Sequence, residues 1–446
     1  MSDRQVSSRS DFDPVEFGRI DRVGEARVPT PVPGPYMGDV PRPFFLDEEN
    51  CGEDAPDGSS VFLEGAGPRE RLYYDPGKVK CAIVTCGGLC PGINDVIRAI
   101  VMQACHGYGA ASVLGIRYGL EGFIPACRHD VMELTPLSVS DIHSFGGTVL
   151  GSSRGPQDAG EIVDALERLN VSMLFVIGGD GSMKAASAIW GEVFRRGLHI
   201  SVIGIPKTID NDINFIPKSF GFDSAVDTAA TVLRCAHTEA LGTHNGVGLV
   251  KLMGRESGFI AAQSTLSLGI VNFVLVPEAP FALEGEGGLL GELEKRLARR
   301  GHAVIVAAEG AGQHLMGDGE RGTDASGNPL LRDVGAFLQA RIREHFARRG
   351  LPLYLKYIDP SYIIRSVPAN SNDRVYCGFL GRHAVHAAMS GRTNMVVAKF
   401  FDHFVHLPLP LVTRRRRRLD VRGNYWRSVL ESTGQELAMI GENSLS

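Results

Sequence analysis

Six short apolar runs in this chain each break into a glycine-rich or charged loop: Lys80 to Thr85, Met173 to Ile177, Ile200 to Ile205, Val247 to Leu252, His302 to Ala308 and Leu353 to Ile358. Near-continuous apolar strands of this kind suit a parallel sheet buried on both faces. Helical segments follow at about 95–104, 183–195 and 225–240, and a last one at 425–431. Alternation of strand and helix joins parallel strands through right-handed crossovers. At 446 residues the chain exceeds what one core covers, roughly 250 to 300 residues, so the reading is α/β with two domains of mainly parallel sheets. In such sheets ligands collect at the carboxyl ends of strands.

Four strand-end loops carry chemistry. Pro206-Lys207-Thr208-Ile209-Asp210-Asn211-Asp212 sets two carboxylates beside a hydroxyl and an ammonium; a polar turn with capping aspartates is the plainer reading of that stretch alone. Cys86-Gly87-Gly88-Leu89-Cys90-Pro91-Gly92-Ile93-Asn94 links a strand to a helix, and glycine with a helix amino terminus makes a phosphate seat. A tight βα turn would look the same. Phe145 to Gly155 adds small residues and Arg154, whose guanidinium fork matches phosphate oxygens. Gly178-Gly179-Asp180-Gly181-Ser182 puts a carboxylate into a phosphate-seating loop, which calls for a bridging Mg²⁺. No GxxxxGK[ST] stretch occurs, so this is not a Walker-type site.

Composition excludes more than it assigns. A net charge of −5 gives no concentrated basic surface for nucleic acid. Arg414 to Arg418 is the exception, read as a solvated segment, with contact to an anionic ligand or lipid as the alternative. No apolar run reaches the roughly 18 residues of a membrane span, and the opening MSDRQVSSRSDFD lacks a secretory core. Of eight cysteines only Cys86 and Cys90 are spaced as a metal pair, and no second pair completes a zinc set. Reduced thiols are the reading. Residues 1–78, with the PTPVPGP run, read as an arm over the surface or another subunit, and Gly310 to Asn328 as a mobile loop.

GGDGS at 178–182, PKTIDND at 206–212 and MGR at 253–255, in that order, resemble the 6-phosphofructokinase family. The likeness covers about residues 70–435. CGGLCPGIND at Cys86, VKLMGRESGFIA at Val250 and KYIDPSYIIRSVPANSND at Lys356 bring it nearest the branch with plant and trypanosomatid ATP-dependent enzymes. The resemblance implies transfer of the γ-phosphoryl of MgATP to the 1-hydroxyl of fructose 6-phosphate, with ATP as co-substrate and Mg²⁺ as cofactor. It implies Asp210 as general base, Thr208 holding the sugar end and the moving phosphoryl, and Arg255 with Lys207 neutralising developing charge. Asp180, supported by Asp212, is the implied magnesium ligand. Gly87, Arg154, Gly155, Gly179, Gly181 and Ser182 correspond to nucleotide contacts. Thr208, Ile209, Asp210, Met253, Gly254, Arg255, Glu309, Lys356, Tyr362 and Arg365 correspond to the sugar-phosphate side. A buried salt bridge is the other reading of Arg255 and Arg365, and a solvated strand end that of Glu309.

Departures from the short bacterial enzymes stand at Tyr362, where they have histidine, and at Gly246, where they supply an arginine from a neighbouring subunit; His244 and Asn245 are the possible substitutes. For the donor, pyrophosphate enzymes commonly carry aspartate at the position of Gly181, against the α-phosphate; glycine leaves that space open and favours ATP. Lys207 is shared with pyrophosphate enzymes, so a pyrophosphate-dependent enzyme is the alternative, and a non-catalytic sugar-phosphate or nucleotide sensor the more distant one. The expected organisation is an arm at 1–78, a nucleotide-binding domain at 79–221 and 366–413, a sugar-phosphate domain at 222–365 and an extension at 414–446, with catalysis in the cleft between the two domains. A homotetramer is expected from the family, and a cytoplasmic enzyme from the lack of a recognisable targeting signal. Ser444-Leu445-Ser446 is not a peroxisomal signal.

Overall fold

The computed structural model describes residues 13–46, 59–317, 322–324, 327 and 329–435. The chain forms two compact units. The first takes residues up to Thr208, then Ile213–Phe220 and Ser371–Arg416; the second takes Ile209–Asp212, Gly221–Asn370 and the chain from Arg417.

In the first unit a seven-stranded sheet runs in the order His403–Pro408, Met395–Phe400, Ser201–Pro206, Met173–Gly178, Lys80–Thr85, Ser112–Ile116, Val131–Glu133. Its five inner strands are parallel and its two edges antiparallel. Every residue of Met173–Gly178 and Ser201–Pro206 is buried, as their unbroken apolar sequence requires. Helices Ile93–Met102, Ala159–Arg168, Asp180–Arg195 and Ser371–Met389 belong to the same unit. Its core joins Val84, Val176 and Val202 of the strands to Ile162, Met183 and Ile189 of the helices.

The second unit holds a four-stranded, wholly parallel sheet in the order Phe273–Leu275, His302–Ala308, Gly246–Leu252, Tyr354–Ile358. Leu249 and Ile305 pack there against Leu293, Leu338 and Ile342 of the helices Leu289–Arg300 and Val334–Arg348. The carboxyl segment belongs to this unit from Arg417 onward. Trp426, on the helix Asn424–Thr433, is buried, and Gln435 accepts a hydrogen bond from Val274 N at 2.8 Å.

Two expectations change. The described part of the arm is built into the first unit: Asp21–Arg22 pairs antiparallel with Arg392–Thr393, and the buried Arg392 guanidinium binds Glu64 and Asp39. Polar and proline-rich sequence concealed this, because the few apolar residues the arm sends into the core, Phe44, Leu46, Val61 and Leu63, stand among ion pairs and short strands and form no sustained period. The arginine run is not uniformly solvated, since Arg415, Arg416 and Arg417 are half-buried. The Gly310–Asn328 reading falls partly outside the described residues; within them Gln313–Met316 is a short 3₁₀ turn. The extreme termini, Cys51 and the Ser444-Leu445-Ser446 end also lie outside. Among the described residues no helix is long and apolar enough to cross a membrane.

Burial lowers His386 to about 3 and His406 to about 4, below the roughly 6.5 of an exposed imidazole. Both rings are neutral in the folded chain at pH 7, and the His386 Nδ1 lies 2.7 Å from the Tyr108 hydroxyl. The unfolded chain takes up protons on both as pH falls through about 6.5, so their contribution is present above that pH and lost below it. Asp95, raised by burial to about 6, opposes this by binding its proton first in the folded state. His383, held down to about 4 by burial, adds to the same side as the two histidines. We expect denaturation at pH 5 to show stability lower than at pH 7 by on the order of 4 kcal/mol; equal or higher stability at pH 5 contradicts it.

Candidate active site

In the first unit three glycine loops meet at the ends of adjacent parallel strands. Cys86 N donates to Ile177 O at 2.8 Å and Lys207 N to Gly178 O at 2.9 Å, so strand register alone places GGDGS beside CGGLC and PKT. The 146–155 loop is stitched to them by Gly87 N donating to Ser153 O at 3.0 Å and Ser152 Oγ to Gly87 O at 2.6 Å. Thr85 Oγ1 donates to Gly151 O at 2.6 Å. Lys207 is buried, and its Nζ reaches Gly88 O at 2.6 Å. Thr208 ends the first stretch of this unit, its carbonyl accepting from Ser219 Oγ of the next at 2.6 Å.

Gly179 caps the helix Asp180–Arg195, which places Asp180, Gly181 and Ser182 in the first turn, where helix N–H groups favour anions; Ser182 N itself donates to Gly179 O at 2.9 Å. Asp180 Oδ2 already draws two cations, Lys184 Nζ at 2.9 Å and Arg416 Nε at 3.9 Å. Hard carboxylate oxygen at a phosphate-seating turn suits Mg²⁺, which takes one or two carboxylates alongside phosphates and waters. A Cβ at Gly181 would meet nothing within 4 Å. Arg154 is exposed, and Gly155 beside it is half-buried. Cys86 and Cys90 are buried thiols, Cys86 pushed up to about 12 by its burial and Cys90 donating to Phe220 O at 3.3 Å. Their spacing reflects packing rather than a metal pair.

The second unit carries the other candidates. Ile209 is buried and Asp210 half-buried. Ser257 Oγ donates to Asp210 O at 2.9 Å and Arg417 N to Asp212 O at 2.8 Å, fixing the backbone on both sides of Asn211. Asn211 itself sits at φ 56°. Asp180 and Asp212 therefore belong to different units.

Strand register places Glu309 beside MGR: Glu309 N donates to Leu252 O at 2.9 Å and Gly310 N to Gly254 O at 3.1 Å. Burial raises the Glu309 carboxyl while Arg255 and Lys251 pull it down. Arg255 pairs with Asp324 at 3.3 Å and donates to Pro329 O. Met253 is half-buried next to it. Tyr362, 75 % exposed, lies under Arg365, whose guanidinium carbon is 4.9 Å from the ring centroid. Lys356 does not join this group; it is exposed in mid-strand, its Nζ 5.0 Å from the Tyr354 ring centroid.

Sequence reasoning missed Lys251. Its Nζ reaches Asp359 at 2.8 Å and Asp333 at 3.3 Å; burial would lower its pKa, but Asp359 and its neighbours raise it. Its place two residues before Met253 at the end of a strand was the available signal. Arg416 was missed because its contact with Asp180 spans most of the chain.

The Phosphofructokinase family model matches residues 80–388. An ATP-dependent 6-phosphofructokinase of Amycolatopsis methanolica is 51 % identical over 84 % of this chain and 82 % of its own. One from Borreliella burgdorferi is 46 % identical over 94 % and 97 %. ATP-dependent 6-phosphofructokinase 7 of Arabidopsis thaliana is 46 % identical over 86 % and 78 %. Among solved structures, a pyrophosphate-dependent phosphofructokinase from Marinobacter aquaeolei superposes with a TM-score of 0.67, covering 80 % of this chain and 91 % of its own; at 20 % identity that likeness speaks for the fold alone.

Two glycines of these loops should respond oppositely to alanine. Gly254 sits at φ 128°, and its Cβ would come 2.3 Å from Ser257 O, whereas Gly181 faces open space. Gly254→Ala should cost more than about 2 kcal/mol and Gly181→Ala less than about 1 kcal/mol. Equal denaturation midpoints for the two variants would contradict the geometry.

Proposed function

The chain belongs to the phosphofructokinase family, and on that premise we propose that it transfers the γ-phosphoryl of MgATP to the 1-hydroxyl of fructose 6-phosphate, giving fructose 1,6-bisphosphate and ADP. The observation that carries this is the assembly on one unit of three glycine loops with a buried lysine and a helix-start carboxylate, Lys207 Nζ holding Gly88 O at 2.6 Å. Close homology to enzymes named as ATP-dependent supports the ATP reading over the pyrophosphate one.

Phosphoryl transfer needs positioning and charge neutralisation more than covalent chemistry. In the proposed mechanism Gly87, Arg154, Gly155, Gly179, Gly181 and Ser182 seat the nucleotide phosphates. Asp180 would hold Mg²⁺, which when bound neutralises phosphate charge. Lys207 contributes a fixed ammonium, held by a backbone carbonyl so that it needs no reordering as charge develops. Asp210 takes the proton of the sugar hydroxyl. Thr208 orients the same end, and Arg255 stabilises the moving group once an anion draws it from Asp324. Glu309, Arg365 and Tyr362 bind the sugar phosphate, with Lys251 added to the set.

Asp210→Ser should lower turnover by roughly 10²–10⁴-fold, the usual contribution of a general base, with the KM for fructose 6-phosphate changed only a few-fold. Near-normal turnover would remove Asp210 from the mechanism. Gly181→Asp should abolish ATP use while circular dichroism stays that of the parent, because the added side chain meets open space in the protein. Unchanged ATP kinetics would contradict the donor argument. We also propose a cytoplasmic homotetramer; a solution mass of one 48.1 kDa chain would contradict the assembly.

A further inference from the structure

We propose that Glu121, Cys127 and His129 form a binding site for a zinc-class divalent cation, separate from the magnesium position at Asp180. One ligand atom of each lies within 4.8 Å of the other two, and His129 Nε2 is 3.8 Å from Glu121 Oε2. The set combines a soft sulfur, an imidazole nitrogen and a carboxylate oxygen, which together prefer Zn²⁺ over Mg²⁺. Around a tetrahedral zinc such atoms stand roughly 3.3–3.6 Å apart, so side-chain shifts of about 1 Å close the site and leave a fourth position for water.

The backbone is shaped to present these groups. Glu121 lies on the 3₁₀ turn Gly119–Phe123 and Cys127 ends the turn Pro125–Cys127. Arg128, at φ 55°, then reverses the chain and returns His129 toward Glu121; Tyr118, at φ 58°, opens the first turn. Left-handed backbone is uncommon for residues of this size, and it occurs here before Glu121 and again between Cys127 and His129. Cys127 is exposed, unlike most free cysteines, so a cation can reach it.

Occupancy would be felt in the nucleotide half-site. The His129 ring is 4.7 Å from that of Tyr118. Tyr118 in turn packs on Gly151, where a Cβ would come within 2.7 Å of its ring. Tyr118 N also donates to Leu150 O at 2.8 Å. Binding releases the Cys127 thiol proton to solvent, since the thiolate is the ligand.

The test uses the full-length protein, stripped by chelator and desalted, with Co²⁺ as the probe. Titration should produce a thiolate-to-cobalt charge-transfer absorption that saturates near one equivalent and is removed by Zn²⁺. Cys127→Ser should lose the band. His129→Ala should weaken binding by more than the roughly 10–100-fold that loss of a supporting partner costs. In the unmutated protein, Zn²⁺ should slow alkylation of Cys127 but not of the equally exposed Cys235, read by mass spectrometry. No thiolate band, a band that survives in Cys127→Ser, or equal alkylation of both thiols with and without Zn²⁺ would overturn the proposal.

Discussion

Parallel strand register is the constraint from which the rest follows. Once Ile177 O receives Cys86 N and Gly178 O receives Lys207 N, three loops far apart in sequence have no choice of neighbour. The same holds in the second unit, where Leu252 O and Gly254 O receive Glu309 N and Gly310 N. A one-residue slip would turn every side chain of these strands to the opposite face and part the loops from one another. The register of the strands therefore also fixes the candidate site.

On this frame the charged groups are held in mutual check. Asp180 is met by Lys184 and Arg416, Arg255 by Asp324, and Lys251 by Asp359 and Asp333. Where both partners are largely shielded, as in Arg255 with Asp324, truncating one leaves the other uncompensated. Glu309 is half-buried, and its burial raises its carboxyl above the usual range beside Arg255, the arginine expected to stabilise the moving group.

Much of this was legible beforehand for a physical reason. Strands such as Lys80–Thr85 and His302–Ala308 end where their apolar runs end, because burial on both faces admits a polar side chain only where it finds a hydrogen-bond partner, as Thr85 does on Gly151 O. Loops at Gly87 and Gly178 could be read as one phosphate seat because glycine and helix start coincide. What escaped was whatever depends on contact between distant segments. Arg392 with Glu64 and Asp39 joins the arm to the sheet, yet no period in the sequence marks it. Arg416 looked like one of five equivalent arginines until its neighbour Asp180 was known. Lys356 comes from the family resemblance and Lys251 is passed over there, because only tertiary structure tells an exposed lysine from one clamped by two aspartates.

The central claim is that the first unit's loops are built for a nucleotide triphosphate and not for a shorter donor. Initial rates at saturating fructose 6-phosphate, measured side by side with MgATP and with magnesium pyrophosphate, test it most directly. The account predicts turnover with MgATP and none above background with pyrophosphate; turnover with pyrophosphate and none with MgATP would contradict it.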